Sequence, residues 1–284
     1  MREGNEDRYV VREDGGTLLL AVADGVGGAP GGEVAADAAV AELADRVFRG
    51  GKARPIADRL TDAVRDANTA VLRAAESSSF PQAASTLVAA LVQQGRVVVA
   101  NLGDSRAYLV RAGAARQLTD DHSGAIAAGI TRFLGDPRGV QPDVFVEELR
   151  SADRLVLCSD GLTRHVSDDE IASLAALGSP EEAASRLVEL ANSRGGEDNV
   201  TIVVHAARAT RGVLPSRRQL AVGIFVALVA LVVGGALALL LSLSPYAPAP
   251  SASPSPSASP SAAPSVTEAP SPSPTPTEAP SATP

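Results

Sequence analysis

Tryptophan is absent from this sequence, and cysteine occurs once among its 284 residues, at Cys158. A single cysteine excludes an intramolecular disulfide framework, so nothing in the chain calls for an oxidising compartment. The formal net charge is −8, which argues against nucleic acid as the main partner because phosphate backbones bind basic surfaces. The length predicts one sizeable domain with appended segments.

Charged side chains are missing from residues 220–243. A helix of that length would span roughly 36 Å, enough for a hydrocarbon core of roughly 30 Å. The segment therefore predicts a single transmembrane helix, and a buried core helix is the alternative. It follows a predicted domain over residues 1–207 and a basic juxtamembrane connector over residues 208–219.

The flanks of this helix predict its orientation. The connector carries four arginines, which are Arg208, Arg211, Arg217 and Arg218. The C-terminal flank has no lysine or arginine. Positive charge favours the cytoplasmic side, and no apolar signal-peptide segment precedes the domain. We therefore expect a cell-membrane protein with a cytoplasmic N-terminal domain and an extracytoplasmic tail.

The tail, residues 244–284, is rich in Pro, Ser, Ala and Thr, and Glu268 and Glu278 are its only charged side chains. Such a segment has too little apolar surface to offset the entropy of ordering, so it is predicted to be disordered. Its prolines favour an extended conformation. A spacer that reaches into the cell wall and an unselective tail are both open interpretations.

Apolar periodicity in residues 1–207 predicts a mixture of separate strands and paired helices. Helices are expected over 33–48, 56–76, 167–177 and 180–193, and strands over 18–23, 86–93, 96–102, 105–111, 114–118, 144–149, 154–159 and 199–206. Gln94-Gly95 and Ala112-Gly113 are predicted hairpin turns. Strands clustered in runs favour an α+β fold over a doubly wound parallel sheet.

Aspartates recur where predicted strands begin or end, at Asp24, Asp104, Asp160 and Asp198. A carboxylate at the mouth of a buried strand is costly unless it is paired or bound to a cation. Glycine follows or precedes three of them and lets backbone approach an ion closely. Each Asp-Gly alone is more typical of a turn, but together the four indicate a shared site for a hard metal ion.

An ordered series of short motifs runs through residues 1–206. It comprises Arg2-Glu3-Gly4-Asn5-Glu6-Asp7, Ala23-Asp24-Gly25-Val26-Gly27-Gly28, Gly32-Glu33-Val34-Ala35, Ser85-Thr86-Leu87, Ala100-Asn101-Leu102-Gly103-Asp104-Ser105-Arg106, Leu118-Thr119-Asp120-Asp121-His122-Ser123, Ile130-Thr131-Arg132-Phe133-Leu134-Gly135, Ser159-Asp160-Gly161-Leu162-Thr163 and Glu197-Asp198-Asn199-Val200-Thr201. This series resembles the metal-dependent protein serine/threonine phosphatases, the protein phosphatase 2C-like family, in its bacterial form.

The resemblance implies a four-layer α-β-β-α sandwich of two antiparallel sheets with two Mn²⁺ or Mg²⁺ ions in a cleft. It implies that Asp24 bridges both ions, that Asp160 and Asp198 complete one site, and that the Gly25 carbonyl completes the other. It further implies outer-shell roles through water for Glu6 and Asp7, a weaker third metal near Asp104, and a phosphate-binding Arg2.

The activity implied is hydrolysis of phosphoserine and phosphothreonine on proteins by metal-activated water. Two divalent ions lower the pKa of a shared water enough to make it a nucleophile near neutral pH, and Arg2 could neutralise the phosphoryl oxygens. The expected partners are phosphorylated proteins, including Ser/Thr kinases and their substrates, and the membrane.

Several features depart from the family pattern. Val26 stands where some members have a histidine, so a side-chain general acid is missing there. The stretch 124–129 is shorter than the usual flap, which could widen access to the cleft. The chain begins at Met1-Arg2, where relatives have a whole preceding strand, so the domain either starts upstream or has an unpaired sheet edge.

Alternatives to the enzyme assignment also exist in the sequence. Cys158 and Arg164 match the Cys-five-Arg spacing of thiolate phosphatases, but Asp160 inside that loop would repel phosphate, so Cys158 is interpreted as a buried strand residue. His122 and His165 are interpreted as structural. A non-catalytic docking module and a phosphatase of anti-sigma antagonists remain rival functions.

Overall fold

The computed structural model describes residues 4–26, 31–49, 54–124 and 129–208. The predicted transmembrane helix 220–243, the tail 244–284, Arg2 and all of the connector beyond Arg208 lie outside the described residues. Among the helices of the described ranges, none combines the length and apolar composition that a membrane span requires.

Nine strands and five helices are built from the described residues. The strands are β1 Asp7–Asp14, β2 Thr17–Asp24, β3 Leu87–Gln93, β4 Arg96–Leu102, β5 Arg106–Arg111, β6 Ala114–Gln117, β7 Asp143–Glu148, β8 Arg154–Cys158 and β9 Ile202–Ala206. The helices are α1 Gly32–Arg49, α2 Ile56–Ser77, α3 Asp160–Thr163, α4 Asp168–Ala175 and α5 Pro180–Ser193.

The strands form two sheets in which every neighbouring pair is antiparallel. The first sheet has the order β1-β2-β3-β4-β7, and the second has the order β6-β5-β8-β9. Side chains alternate between the two faces of a strand, so the residues of β2 contribute to two different apolar clusters. Leu19, Ala21 and Ala23 pack in the cluster with α1 and α2, whereas Leu20 and Val22 pack between the sheets.

A third apolar cluster lies between the second sheet and helices α4 and α5, and includes Tyr108, Val156, Ile171 and Leu187. Three clusters separate four layers, in the order helices, sheet, sheet, helices. The predicted arrangement of two antiparallel sheets flanked by helices is therefore confirmed.

The two predicted hairpin turns are also confirmed. Gln94 and Gly95 have φ values of 52° and 79°, and Ala112 and Gly113 have 51° and 82°. Positive φ at both central residues is the geometry of a type I′ turn, which matches the twist of the strands it joins. The turns place β3 against β4 and β5 against β6.

Two elements were not predicted. β1 was missed because its residues beyond Asp7 are polar or exposed apart from half-buried Val10, so no apolar pattern marks it. The short helix α3 was missed because four residues are too few to show helical periodicity. The last strand begins at Ile202 instead of residue 199.

Candidate metal centre

The strand ends that carry the predicted aspartates meet at one end of the two sheets. Asp7 lies directly opposite Asp24 in the β1–β2 register. In the second sheet Arg106 pairs with Cys158, and Asp104, two residues before Arg106, lies close enough to Asp160 for the charge of Asp160 to raise its pKa. The topology therefore brings together carboxylates that are far apart in sequence.

Two close backbone approaches complete this end of the molecule. A Cβ added at Gly161 would lie 2.1 Å from the carbonyl oxygen of Asn199, so the loop carrying Asp198 packs directly on the turn that carries Asp160. A Cβ added at Gly25 would lie 2.5 Å from the carbonyl carbon of Gly32. Only glycine fits at either position without a shift of the backbone.

Hydrogen bonds join the two sheets beneath the carboxylates. The Ser159 hydroxyl donates to Asp7 Oδ2 at 2.8 Å and accepts from the Thr201 N–H at 3.0 Å. The Glu6 N–H donates to Asn199 Oδ1 at 2.9 Å. The Glu6 carbonyl in turn accepts from the Gly25 N–H at 3.2 Å, which ties the backbone before β1 to the end of β2.

Burial and mutual repulsion dominate the electrostatics of the cluster. Burial, followed by the charges of Asp7, Asp160 and Asp198, raises the pKa of Asp24 to about 10. Burial likewise raises the pKa of Asp7, even though the Ser159 hydroxyl opposes that shift. Burial and the charge of Asp160 raise the pKa of Asp104. The group is thus short of positive charge, which a cation would supply.

The oxygen atoms of this cluster fit a hard divalent cation. Asp7 Oδ1 and Asp160 Oδ1 are buried and have no hydrogen-bond partner. A buried polar atom of this kind costs free energy unless it binds a ligand. Carboxylate and carbonyl oxygens are the donors that Mg²⁺ and Mn²⁺ prefer. In the part of the chain that the structure describes, no three Asp, Glu, His or Cys side chains already surround one point as metal ligands, so some side chains must turn to bind an ion.

One of those side chains, Asp160, is held by a neighbouring cation. The Arg164 guanidinium forms an ion pair with Asp160 Oδ2 and lies 3.7 Å from Asp198 Oδ2. The sequence analysis gave no site role to Arg164, Ser159 or Asn199. Ser159 and Asn199 stand beside predicted aspartates in the motifs, and Arg164 follows Asp160 by four residues.

The remaining predicted residues occupy distinct places. Glu6 is half-buried at the start of β1. His122 is buried, accepts from the Gly103 N–H at 3.1 Å and pairs with Asp143 at 2.9 Å, a structural arrangement outside the carboxylate group. Cys158 is fully buried, and burial raises the pKa of its thiol to about 12, which confirms its interpretation as a strand residue.

Comparison with known proteins now identifies the class. The protein phosphatase 2C family matches residues 3–197. The serine/threonine phosphatase stp of Listeria monocytogenes is 36% identical, over 72% of this chain and 90% of that protein. The serine/threonine protein phosphatase PstP of Mycobacterium tuberculosis is 38% identical, over 72% of this chain and 42% of that protein.

The fold comparison agrees with the sequence comparison. The catalytic domain of serine threonine protein phosphatase PstP, solved in complex with two manganese ions, superposes with a TM-score of 0.64 at 35% identity, covering 72% of this chain and 92% of that one. Stp1 from Staphylococcus aureus superposes with a TM-score of 0.67 at 31% identity, covering 73% and 91%. The chain belongs to the protein phosphatase 2C family.

Proposed function

We propose that this chain is a metal-dependent protein serine/threonine phosphatase that removes phosphate from phosphoserine and phosphothreonine. The observation that carries the proposal is the convergence of Asp7, Asp160 and Asp198 on Asp24, with two buried oxygens, Asp7 Oδ1 and Asp160 Oδ1, that have no hydrogen-bond partner. The family to which the chain belongs and the manganese-bound relative support the same chemistry.

In this proposal Asp24, Asp160 and Asp198, with the Gly25 carbonyl, hold two Mn²⁺ or Mg²⁺ ions. When bound, the ions would supply a nucleophile from water near neutral pH and neutralise charge on the phosphoryl group. The chain's own contribution is to hold Asp24 between the sheets, where the Thr86 N–H donates to its carbonyl at 2.8 Å and its own N–H donates to Thr86 Oγ1 at 3.2 Å.

Asp7 has an outer role in the proposal. It is 4% exposed and is fixed by the Ser159 hydroxyl, and it faces Asp24 across the β1–β2 ladder. Its uncommitted Oδ1 can accept a hydrogen bond from a water on the ion. Glu6 would act in the same way from the preceding position.

Substrate binding rests on Arg2 and on access to the cleft. Arg2 stands four residues before Glu6, where the family resemblance places the phosphate-binding arginine. The Gly124 N–H donates to the Gly129 carbonyl at 2.9 Å, and Ser123 forms an isolated bridge with Ile130, so the two ends of the stretch 124–129 lie close together. A short connection favours open access for a phosphorylated protein segment.

The proposed substrates are phosphorylated proteins, including Ser/Thr kinases and the targets of those kinases. The proposed location is the cell membrane, with the catalytic domain on the cytoplasmic side. The charge-free segment 220–243 and the arginines that precede it support this location.

Metal dependence is the decisive test of the proposal. Hydrolysis of a phosphothreonine peptide by the full chain should require Mn²⁺ or Mg²⁺ and stop with a chelator. Asp24→Asn and Asp198→Asn should each lower kcat by at least about a hundredfold, because a lost ligand misplaces the ion. Asp136→Asn is the matched control, since Asp136 pairs with Arg138 outside the cluster. Full activity in the presence of chelator would refute the mechanism.

A further inference from the structure

Two buried hydroxyl groups join the two sheets beside Asp24. Thr86 precedes β3 in the first sheet, and Ser105 precedes β5 in the second. Thr86 Oγ1 and Ser105 Oγ lie 2.7 Å apart, so one hydroxyl donates to the other. Thr86 is 1% exposed and Ser105 is fully buried. The sheets are therefore connected here by a hydrogen bond that is shielded from solvent, where such bonds are strongest.

Thr86 also contacts Asp24, through both its backbone and its side chain. The Thr86 N–H donates to the Asp24 carbonyl at 2.8 Å, and the Asp24 N–H donates to Thr86 Oγ1 at 3.2 Å. In a regular antiparallel pair the two residues exchange two backbone hydrogen bonds. Here the second bond goes to a side-chain oxygen, so the position of Asp24 depends on where the Thr86 hydroxyl points.

The direction of the Thr86 hydroxyl is restricted by the second sheet. Ser105 Oγ is its side-chain partner. The turn between β4 and β5 packs directly on Thr86, since a Cβ added at Gly103 would lie 2.6 Å from Thr86 Cβ and from Thr86 Cγ2. Threonine has few accessible values of χ1 even without such contacts. The hydroxyl is thus held between the Asp24 N–H and Ser105.

The two sheets supply different parts of the proposed metal centre. Asp24 ends β2 in the first sheet, whereas Asp160 follows β8 and Asp198 precedes β9 in the second. Ions shared by these carboxylates tolerate only small errors in the distances to their ligands. The spacing between the end of β2 and the second sheet must therefore be fixed before an ion binds.

We propose that Ser105 and Thr86 are positioning residues, whose hydroxyl pair sets the place of Asp24 relative to the ligands of the second sheet. The inference rests on the proposed function, because it presupposes that Asp24 binds the ions. Neither hydroxyl is itself a ligand in this proposal. Loss of either one should weaken Mn²⁺ binding roughly tenfold, as is typical of groups that orient a metal ligand through a hydrogen bond.

The test measures the Kd for Mn²⁺ by isothermal titration of the full chain after removal of metal, without any assay of activity. Thr86→Val keeps the branched shape and loses the hydroxyl, and Ser105→Ala removes the other half of the pair. Each should raise the Kd roughly tenfold. The double variant should bind no more weakly than Thr86→Val alone, because the two residues act through one hydrogen bond.

Thr86→Ser separates the hydroxyl from packing. It keeps the hydroxyl and loses the methyl group, so it should bind Mn²⁺ with the wild-type Kd even if its thermal midpoint falls. A residue that only stabilised the fold would show the opposite order, with Thr86→Val closer to the wild type than Thr86→Ser.

Thr17→Val is the matched control. Thr17 is 1% exposed, as Thr86 is, and its hydroxyl accepts from Gln93 Nε2 at 2.8 Å. It begins β2, at the opposite end of the strand from Asp24, so this variant should keep the wild-type Kd. Circular dichroism and the thermal midpoint without metal check that each variant is folded, and Thr86→Val and Ser105→Ala are each a sufficient test alone.

The outcomes separate this inference from the metal centre on which it rests. A folded Thr86→Val or Ser105→Ala variant with the wild-type Kd would overturn the inference, as would a Thr86→Ser variant that binds as weakly as Thr86→Val. A wild-type chain that binds no Mn²⁺, or an Asp24→Asn variant that binds as well as wild type, would instead overturn the proposed metal centre and the inference with it.

Discussion

Gly161 shows how one missing side chain shapes the site. A Cβ at this position would lie 2.1 Å from the Asn199 carbonyl oxygen, so Gly161→Ala must push Asp160 away from the loop that carries Asp198. We expect the Kd for Mn²⁺ to rise by roughly tenfold or more and the free energy of unfolding to fall by about 1–3 kcal/mol. Isothermal titration and urea unfolding measure the two effects.

Gly129→Ala is the control for that substitution, because a Cβ at Gly129 would have no atom of the residues that the structure describes within 4 Å. It should change neither quantity measurably. Equal effects from the two variants would show that the close approach of Gly161 to Asn199 has no importance for the site.

At the scale of single residues, sequence motifs predicted the aspartates but not the groups that hold them. The hydrogen bond from Ser159 to Asp7 joins residues 152 positions apart, and that from Glu6 to Asn199 joins residues 193 positions apart. Contacts of this kind depend on how the sheets stack, and local residue patterns carry no information about stacking. The ion pair of Arg164 with Asp160 is local, and its i,i+4 spacing could have revealed it had α3 been predicted.

Among the structural elements, β5 and β8 are joined near their ends by a buried ion pair. Arg111 donates to Asp153 Oδ1 at 2.9 Å and to Oδ2 at 2.6 Å, and the Arg150 N–H donates to Oδ2 at 2.6 Å. Asp153 is 3% exposed. Asp153→Asn should therefore lower the free energy of unfolding by about 1.5–3 kcal/mol, measured by urea unfolding at pH 7.

The same pair predicts a dependence on pH. The Arg111 guanidinium, opposed by burial, holds the pKa of Asp153 below its ordinary value. A depressed pKa in the folded state means that the carboxylate stabilises the fold above the unfolded pKa, and that this stability is lost as the pH falls towards the folded pKa. The difference in stability between wild type and Asp153→Asn should accordingly shrink below about pH 4. A constant difference down to pH 2.5 would contradict the assignment.

The inner strands of the first sheet were predicted from their apolar runs, whereas its edge strand β1 was not. β2, β3 and β4 are apolar on both faces because helices cover one side and the second sheet the other, so they read as continuous apolar runs. β1 is an edge strand with Tyr9 64% and Val11 54% exposed. Its pairing with β2 is made through the backbone, to which residue types contribute little.

For the whole molecule, the four-layer arrangement of helices and sheets was predicted from the family resemblance. Strand lengths and turns alone do not determine which strands of a sheet are neighbours. The pairing of β4 with β7, across about forty residues of intervening chain, and of β5 with β8 are such long-range choices. The composition of residues 208–284, by contrast, supports a prediction about topology that is independent of the fold.

That prediction concerns which side of the membrane each end of the chain occupies. Four arginines lie between residues 208 and 218, and the tail beyond residue 243 has no lysine or arginine, so the positive-inside bias predicts that the domain faces the cytoplasm. In intact cells, Ser259→Cys should react with a membrane-impermeant maleimide, whereas Ser173→Cys, exposed on α4, should react only after lysis. Native Cys158 is buried and should stay unlabelled in both. Labelling of Ser173→Cys but not Ser259→Cys in intact cells would reverse the orientation and remove intracellular phosphoproteins as substrates, even if the metal centre is active.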